Sequence, residues 1–251
     1  MTYYFLFVIL FLVIAEAVKA FRAKEAARFF KATGVLVVAA LLAVAVNISN
    51  LYHTYEYSKE TMRGKGELVK ADSENQTASG LERDYITQWS YGIGETFSLL
   101  VPDVKGGSST IPLSSHKAAF NKVPANVRQY VGQLGSYWGE QPGTSGPVYV
   151  GAFIVFLFVL GLFIVKGPVK WALCVATVLS VLLSWGHNFM WFTNLFIDYM
   201  PLYSKFRTVS SILVIAEFTI PFLAILALRE ILGNPDCIKN NKEAFWGSAA
   251  A

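Results

Sequence analysis

Long uncharged stretches are the feature that most restricts how this chain can fold. Val148–Val165 contains no charged residue, and Val209–Leu228 contains only Glu217. A bilayer core about 30 Å thick is crossed by a helix of roughly 20 apolar residues. Charged residues make up only 15% of the sequence, against roughly 25% in an ordinary soluble domain. The pattern predicts an all-α integral membrane protein.

Five apolar runs are candidate transmembrane helices. In chain order they are Tyr3–Ala15 with its continuation to Val18, Ala32–Leu51, Val148–Val165, Trp171–Gly186 and Val209–Leu228. The first run is short, but basic residues follow it, whereas those of a cleaved signal peptide would precede it. We therefore expect about five transmembrane helices, and the first should end in the cytoplasm.

The apolar runs divide the chain into four regions. These are residues 1–51, two transmembrane helices with a basic cytoplasmic loop; 52–146, a long and partly helical extracytoplasmic loop; 147–228, three transmembrane helices with an aromatic outer loop at 187–208; and 229–251, a cytoplasmic tail. Pro201 is expected to end any helix within the aromatic loop, because proline has no N–H to donate.

The distribution of basic residues predicts the orientation. The first connection is strongly basic and contains Lys19, Arg22, Lys24, Arg28 and Lys31. Residues 166–170 are also basic, whereas acidic residues slightly outnumber basic ones in 52–146. Lys and Arg are enriched in cytoplasmic loops, so a multi-pass protein of the cytoplasmic membrane is predicted, with 52–146 and 187–208 outside. Residues 19–31 form either an interfacial amphipathic helix or, the preferred interpretation, a helical hairpin linker.

Glu217 is the most distinctive candidate for function. A carboxylate within a membrane helix is costly unless it is paired, protonated or hydrated, and such residues are functional by default. Pro221 follows four residues later and cannot donate to the Glu217 carbonyl, so a kink is expected there. The structural alternative is a protonated Glu217 that is hydrogen-bonded to a neighbouring helix.

Lys205 and Arg207 lie just before the last apolar run. An arginine presents a planar set of donors that matches a phosphate group, so this pair is a candidate site for a lipid phosphate. The structural alternative, which the spacing alone favours, is an ordinary anchor to the headgroup region of the membrane.

Glu95, Asp103 and Glu140 are the acidic candidates outside the membrane. A carboxylate at the membrane face can act as a general base for a sugar hydroxyl or hold a divalent cation, although most exposed acids do neither. The histidines are dispersed and no Cys–His set has metal-ligand spacing, so no metal site is predicted. No phosphate-binding loop is present, and nothing in the pattern indicates nucleic-acid binding.

Several short motifs, taken together, resemble the YfhO-type bacterial membrane proteins. They are Tyr85-Ile-Thr-Gln-Trp-Ser-Tyr-Gly-Ile-Gly-Glu95, Leu99-Leu-Val-Pro-Asp103, Tyr137-Trp-Gly139, Gly146-Pro-Val-Tyr-Val-Gly151 and Met200-Pro-Leu-Tyr-Ser-Lys-Phe-Arg207. No single motif is specific, and the resemblance rests on their order and spacing. It covers the chain from about Leu36 to Leu228.

That family is similar to the C-class glycosyltransferases, which transfer a sugar from a polyprenyl-phosphate carrier to a cell-envelope acceptor at the outer face of the membrane. The resemblance implies that Arg207 and Lys205 contact the carrier phosphate, and that Glu95 and Asp103 line a cavity between loop and membrane. It implies membrane lipids and a polyprenyl-phosphate-linked sugar as partners. No cofactor is required by the pattern, and a divalent cation is left open.

The sequence departs from the family in its length. The catalytic acid is expected in an earlier outer loop that has no counterpart here, so the chain corresponds to a central segment and is not expected to catalyse transfer alone. Two other classes of function stay open. One is a transporter or flippase subunit that uses Glu217 in a kinked helix, and the other is a non-catalytic membrane scaffold.

Overall fold

The computed structural model describes residues 2–61, 77 and 80–250. Within these ranges the protein is helical, with two isolated β-bridges, Val104–Gly106 and Pro112–Gly135, and no β-strand. The α-helices are α1 (Thr2–Arg22), α2 (Ala26–Val46), α3 (Ile48–Lys59), α4 (Arg83–Ile86), α5 (Lys117–Phe120), α6 (Arg128–Val131), α7 (Ala152–Ile164), α8 (Val169–Ser184), α9 (Met190–Tyr199), α10 (Val214–Gly233), α11 (Asp236–Asn240) and α12 (Lys242–Ala250). Short 3₁₀-helices lie at Ile93–Leu99, Leu113–Ser115, Gly186–Phe189, Tyr203–Lys205 and Val209–Leu213. The parts of the predicted outer loop at 62–76 and 78–79 lie outside the described residues.

Several helices are long and apolar enough to cross a membrane, as expected of a multi-pass membrane protein. In the described chain they are Tyr3–Arg22, Ala26–Val46 and Val209–Gly233. The segments Val169–Ser184 and Gly186–Tyr199 together qualify as a fourth span, bent by 109° at the break. Helix α7 is apolar but only 13 residues long, shorter than the roughly 20 residues that a bilayer needs. The all-α class is thus confirmed, and the described chain has three to four helices that are long and apolar enough to cross a membrane. A fifth span stays a prediction.

The connection between the first two helices is a tight turn. Helix α1 continues to Arg22, beyond the predicted end at Val18, and α2 already begins at Ala26. No proline or glycine stops α1, and Lys19 and Arg22 in its last turn favour a helix C-terminus, where positive charge complements the helix dipole. Lys24 takes the left-handed conformation that turns the chain. Residues 19–31 therefore form the helical hairpin, and the interfacial-helix interpretation was wrong.

Helices α2 and α3 stand apart from the helical core. Neither contains a buried residue, although α2 has no charged residue between Lys31 and its end at Val46. The second predicted span ends at Val46 rather than Leu51, and α3 carries the chain onward into the polar region. An apolar helix with so little of its surface covered would be unfavourable in water, which agrees with its expected place in a membrane.

The packed core consists of α1, α7, α8 and α10. Gly161 of α7 faces Leu223 and Ala227 of α10, so the two helices approach closely. Between α8 and α10, the hydroxyl oxygens of Thr177 and Thr219 are 2.6 Å apart. Small residues and interhelical hydrogen bonds are the usual means of packing membrane helices, because lipid removes the hydrophobic drive between them.

The last predicted span begins at Val209, as expected, but its C-terminal end differs from expectation. Helix α10 starts at Val214 after a 3₁₀ turn, continues to Gly233 and runs through Pro221 without interruption. The following segment folds back, and α12 packs against α7, with the rings of Phe245 and Phe156 5.6 Å apart. The described part of the predicted tail, residues 229–250, is therefore partly packed on the bundle, while the cytoplasmic location of 229–251 stays a prediction. Helix α9 ends before Pro201, as predicted.

Gly161→Leu should force α7 away from α10. An added Cβ alone would lie 3.1 Å from Leu223 Cγ and 3.3 Å from the Ala227 Cβ, and overpacking costs about 1–3 kcal/mol. We expect a lower midpoint of thermal unfolding in detergent micelles. Gly34→Leu on α2 is the matched control, because a Cβ there meets nothing within 4 Å. Equal midpoints for both variants would contradict the packing described.

Candidate functional site

The polar connections pack as a layer over one end of the bundle, which we call the loop layer (residues 80–151 and 186–208). Backbone hydrogen bonds attach it to the helix ends. The Tyr91 N–H donates to the carbonyl of Ser184 at the end of α8 (2.7 Å), and the Ser210 N–H, just before α10, donates to the carbonyl of Trp89 (3.1 Å). An N–H of Arg207 also donates to the Tyr85 hydroxyl (2.6 Å), so the motifs of residues 85–95 and 200–207 lie together.

Glu95 is the organising acid of the loop layer. It is 2% exposed, and its carboxylate accepts hydrogen bonds from the Gly92 N–H (2.6 Å), the Tyr137 hydroxyl (2.5 Å) and the Glu140 N–H (3.4 Å). The first bond caps the 3₁₀-helix Ile93–Leu99. A buried carboxylate is tolerated only when its oxygens are satisfied in this way. Glu95 thus joins two segments that are distant in sequence.

Tyr137 extends this network towards α10. Its hydroxyl accepts from the Gln141 N–H (2.9 Å), and the Gln141 side-chain oxygen accepts from the Ser210 hydroxyl (3.0 Å). Burial, and then the hydrogen bond to Glu95, raise the pKa of Tyr137 above its ordinary value. The phenol therefore stays protonated and donates to the carboxylate. A continuous path of hydrogen bonds joins Glu95 to the residues that precede α10.

Glu140 forms a second contact across the loop layer. Its carboxylate accepts from the Asn188 amide (2.6 Å), and His187 Nε2 lies 3.9 Å from the same oxygen. The Asn188 amide also donates to the carbonyl of Tyr91 (3.2 Å). The segment that follows α8 is therefore hydrogen-bonded, through Asn188, both to Tyr91 and to Glu140 of the loop layer.

Asp103 lies apart from Glu95. It is exposed and occupies a left-handed turn, φ 60°, whose carbonyl accepts from the Gly106 N–H. The cavity beside Glu95 has a volume of about 10 Å³, which is room for at most about one water molecule, and Asp103 does not line it. The structure does not bring the two predicted acids into one cavity of substrate size.

Arg207 is exposed and held against two aromatic rings. Its guanidinium carbon lies 4.9 Å from the ring centre of Trp89 and 5.4 Å from that of Tyr85, and one N–H donates to the Tyr85 hydroxyl (2.6 Å). Cation–π contacts of this kind fix a cation without neutralising it. Lys205 is half-buried close by in sequence, and burial lowers its pKa. The two predicted cations therefore differ in exposure: Arg207 is exposed to solvent, whereas Lys205 is half-buried.

An ion pair that the sequence did not reveal fixes α9 in the loop layer. Arg83 donates to Asp198 (2.7 Å) and to the side-chain oxygen of Asn194 (2.8 Å). The Arg83 side chain is only 18% exposed. Nothing in the spacing of residues so far apart along the chain indicates that they meet. For the same reason the sequence indicated Tyr137 only as part of a motif, and it did not indicate Gln141 or Ser210.

Glu217 lies exposed in the first turn of α10. Within the described residues it makes no hydrogen bond or ion pair. Burial raises the pKa of Tyr91, and the charges of Glu95 and then Glu217 add to this effect. Glu217 therefore lies on the side of α10 that faces the loop layer. A neighbouring helix that would hydrogen-bond a protonated Glu217 is not found among the described elements.

No group of three or more metal-ligating side chains occurs in ranges 2–61, 77 and 80–250. The divalent cation left open by the sequence gains no support from the geometry. No protein-family model matches this chain, and no match was found among curated proteins or solved structures. The resemblance to YfhO-type proteins therefore stays a prediction.

Tyr137→Phe should destabilise the loop layer. The change removes the donor to Glu95 and the acceptor of the Gln141 N–H, and leaving buried polar groups unsatisfied costs about 1–3 kcal/mol. We expect faster limited proteolysis of residues 92–146 and a lower thermal midpoint in detergent. Tyr130→Phe is the matched control, since Tyr130 is 76% exposed in the same region. The network would be refuted if Tyr137→Phe behaved like this control.

Proposed function

We propose that this chain is part of a YfhO-type membrane glycosyltransferase that takes a sugar from a polyprenyl-phosphate carrier at the extracytoplasmic face and acts on cell-envelope acceptors. The observation that carries the proposal is the setting of Arg207. Its guanidinium is oriented by Tyr85 and Trp89 and stays open to solvent just before α10 begins. A carrier phosphate at the membrane surface needs such a cation.

The physical argument for a phosphate ligand is preorganisation. A guanidinium carries five N–H donors, and Arg207 uses one of them on the Tyr85 hydroxyl. A fixed guanidinium can therefore offer two parallel donors to a phosphate and loses little side-chain entropy on binding. The same contact would stabilise the negative charge that collects on the phosphate as the sugar leaves.

The loop layer also carries an exposed aromatic surface that suits a lipid carrier. Helix α9 leaves the end of α8 at a bend of 109°, and its side chains Trp191 (71% exposed) and Tyr199 (82% exposed) point outwards. Trp and Tyr are the residues preferred at the membrane interface. An isoprenoid chain could lie along this aromatic face while its phosphate reaches Arg207.

Glu95 and Asp103 have different roles in this proposal. Glu95 is enclosed and acts through Tyr137, Gln141 and Ser210 to position the start of α10, which follows Arg207. Asp103 is exposed and is the acid of the two that an acceptor sugar can reach. The base implied by the family resemblance would lie in a different outer loop. The proposal also includes five spans and the extracytoplasmic location of the loop layer.

Arg207→Ala should weaken the binding of polyprenyl phosphate. Charge-assisted hydrogen bonds contribute roughly 1.5–3 kcal/mol, so the dissociation constant, measured on the protein in nanodiscs, is expected to rise at least about tenfold. Sugar transfer from the loaded carrier in membranes should fall with it. Lys59→Ala on α3, whose partner is Glu56, is the control and should bind as wild type. If both variants bound polyprenyl phosphate equally well, the proposed phosphate site at Arg207 would be contradicted.

A transporter or flippase subunit is the second candidate. It is favoured by Glu217, a carboxylate in a membrane helix with no partner among the described residues, four positions before Pro221. Acidic residues within membrane helices mark ion pathways, although α10 is not broken at Pro221.

Glu217→Gln separates the two candidates. If the protein couples transport to protons, the substitution should abolish the dependence of transport on a pH gradient in proteoliposomes, because the amide cannot exchange a proton. Polyprenyl-phosphate binding should be unchanged. Loss of that binding without any transport phenotype would assign Glu217 to the carrier site. A membrane scaffold would leave both readouts insensitive to Glu217 and to Arg207.

A further inference from the structure

We infer that a basic cleft at the opposite end of the bundle binds the headgroup of an anionic phospholipid. The cleft lies between the end of α1 and the start of α8 and has a volume of about 560 Å³. Its charged lining residues are Lys19, Arg22 and Lys170, and no acidic residue lines it. This site has no part in the proposed function.

The location of the cleft follows from α1. The Tyr3 hydroxyl, at the start of this helix, donates to the carbonyl of Pro201 in the loop layer (2.7 Å). Arg22, at its end, lines the cleft. A helix rises about 1.5 Å per residue, so the length of α1, roughly 30 Å, separates the two places. The cleft therefore opens at the level of the other leaflet.

The cations in the cleft keep donors for a ligand. Arg22 is exposed and makes no hydrogen bond or ion pair with a described residue. Lys170 donates to the carbonyl of Leu162, in the last turn of α7 (2.6 Å), which uses one of its three N–H donors. Lys19 pairs with Glu16 at 3.4 Å but is 62% exposed. Three positive charges without an acidic lining residue match a phosphate.

The apolar flank of the cleft selects a lipid over a free phosphate. Trp171, which lines the cleft beside Lys170, is 58% exposed, and Val175 and Val178 continue along the same helix at 47% and 51% exposure. These side chains form a path on which an acyl chain would lie below the headgroup. Basic pockets between helices on the cytoplasmic side are the usual sites of anionic headgroups.

The test uses the full chain in detergent, with lipid binding followed by native mass spectrometry. We expect dioleoyl phosphatidylglycerol to bind more tightly than dioleoyl phosphatidylcholine. Lys19→Gln with Arg22→Gln should weaken phosphatidylglycerol binding by about fivefold per removed cation, equivalent to ~1 kcal/mol each near an anionic surface. Phosphatidylcholine binding should not change. Lys19→Arg with Arg22→Lys retains both charges and should bind like wild type.

Lys24→Gln with Lys31→Gln is the matched control. It removes two charges from the same hairpin, but neither residue lines the cleft. The proposal fails if this control weakens binding as much as the cleft variant, because the effect would then be general surface charge. It also fails if the two lipids bind equally, or if inorganic phosphate at millimolar concentration displaces phosphatidylglycerol, which would indicate a site for free phosphate.

Discussion

The requirement that hydrocarbon surround the helices governs the rest of this structure. Helix α2 has no buried side chain, and large apolar residues of α1, α8 and α10 also face outwards. Water would make such surfaces very unfavourable, whereas lipid accepts them at no cost. In lipid every backbone group must be satisfied within the chain, which is why the spanning parts are helices.

The charged and hydrogen-bonding side chains are consequently concentrated at the two ends of the bundle. At one end the loop layer satisfies the buried Glu95 carboxylate and the half-buried Arg83–Asp198 pair through contacts between distant segments. At the other end the hairpin after α1 and the turn before α8 bring Lys19, Arg22 and Lys170 together. The packed helices, with close approach at Gly161, set the distance between these ends.

The loop layer shows how contact between segments changes the meaning of single residues. The sequence predicted that Glu95 is an accessible acid, but in the structure it is buried and hydrogen-bonded to Gly92, Tyr137 and Glu140. Asp103 was expected to line the same cavity as Glu95, yet it lies in a separate exposed turn. Arg207 precedes an apolar helix in the sequence, but the rings that hold it, Tyr85 and Trp89, come from a distant segment. Its role as a phosphate ligand stays a prediction.

The amino-acid sequence alone determined the all-α class, the presence of helices apolar enough to cross a membrane and the end of α9 before Pro201, since these depend on hydropathy and proline within a few turns of chain. For residues 19–31 it favoured a helical hairpin but left an interfacial helix open. Boundaries were less predictable, because α1 and α10 extend into polar residues that a helix tolerates. Only the tertiary structure decided that Tyr137 meets Glu95, that Arg83 meets Asp198, that α12 packs on α7 and that three cations share one cleft. These contacts join residues far apart in the chain, and their energy comes from satisfying buried polar groups and filling space, which no local pattern encodes.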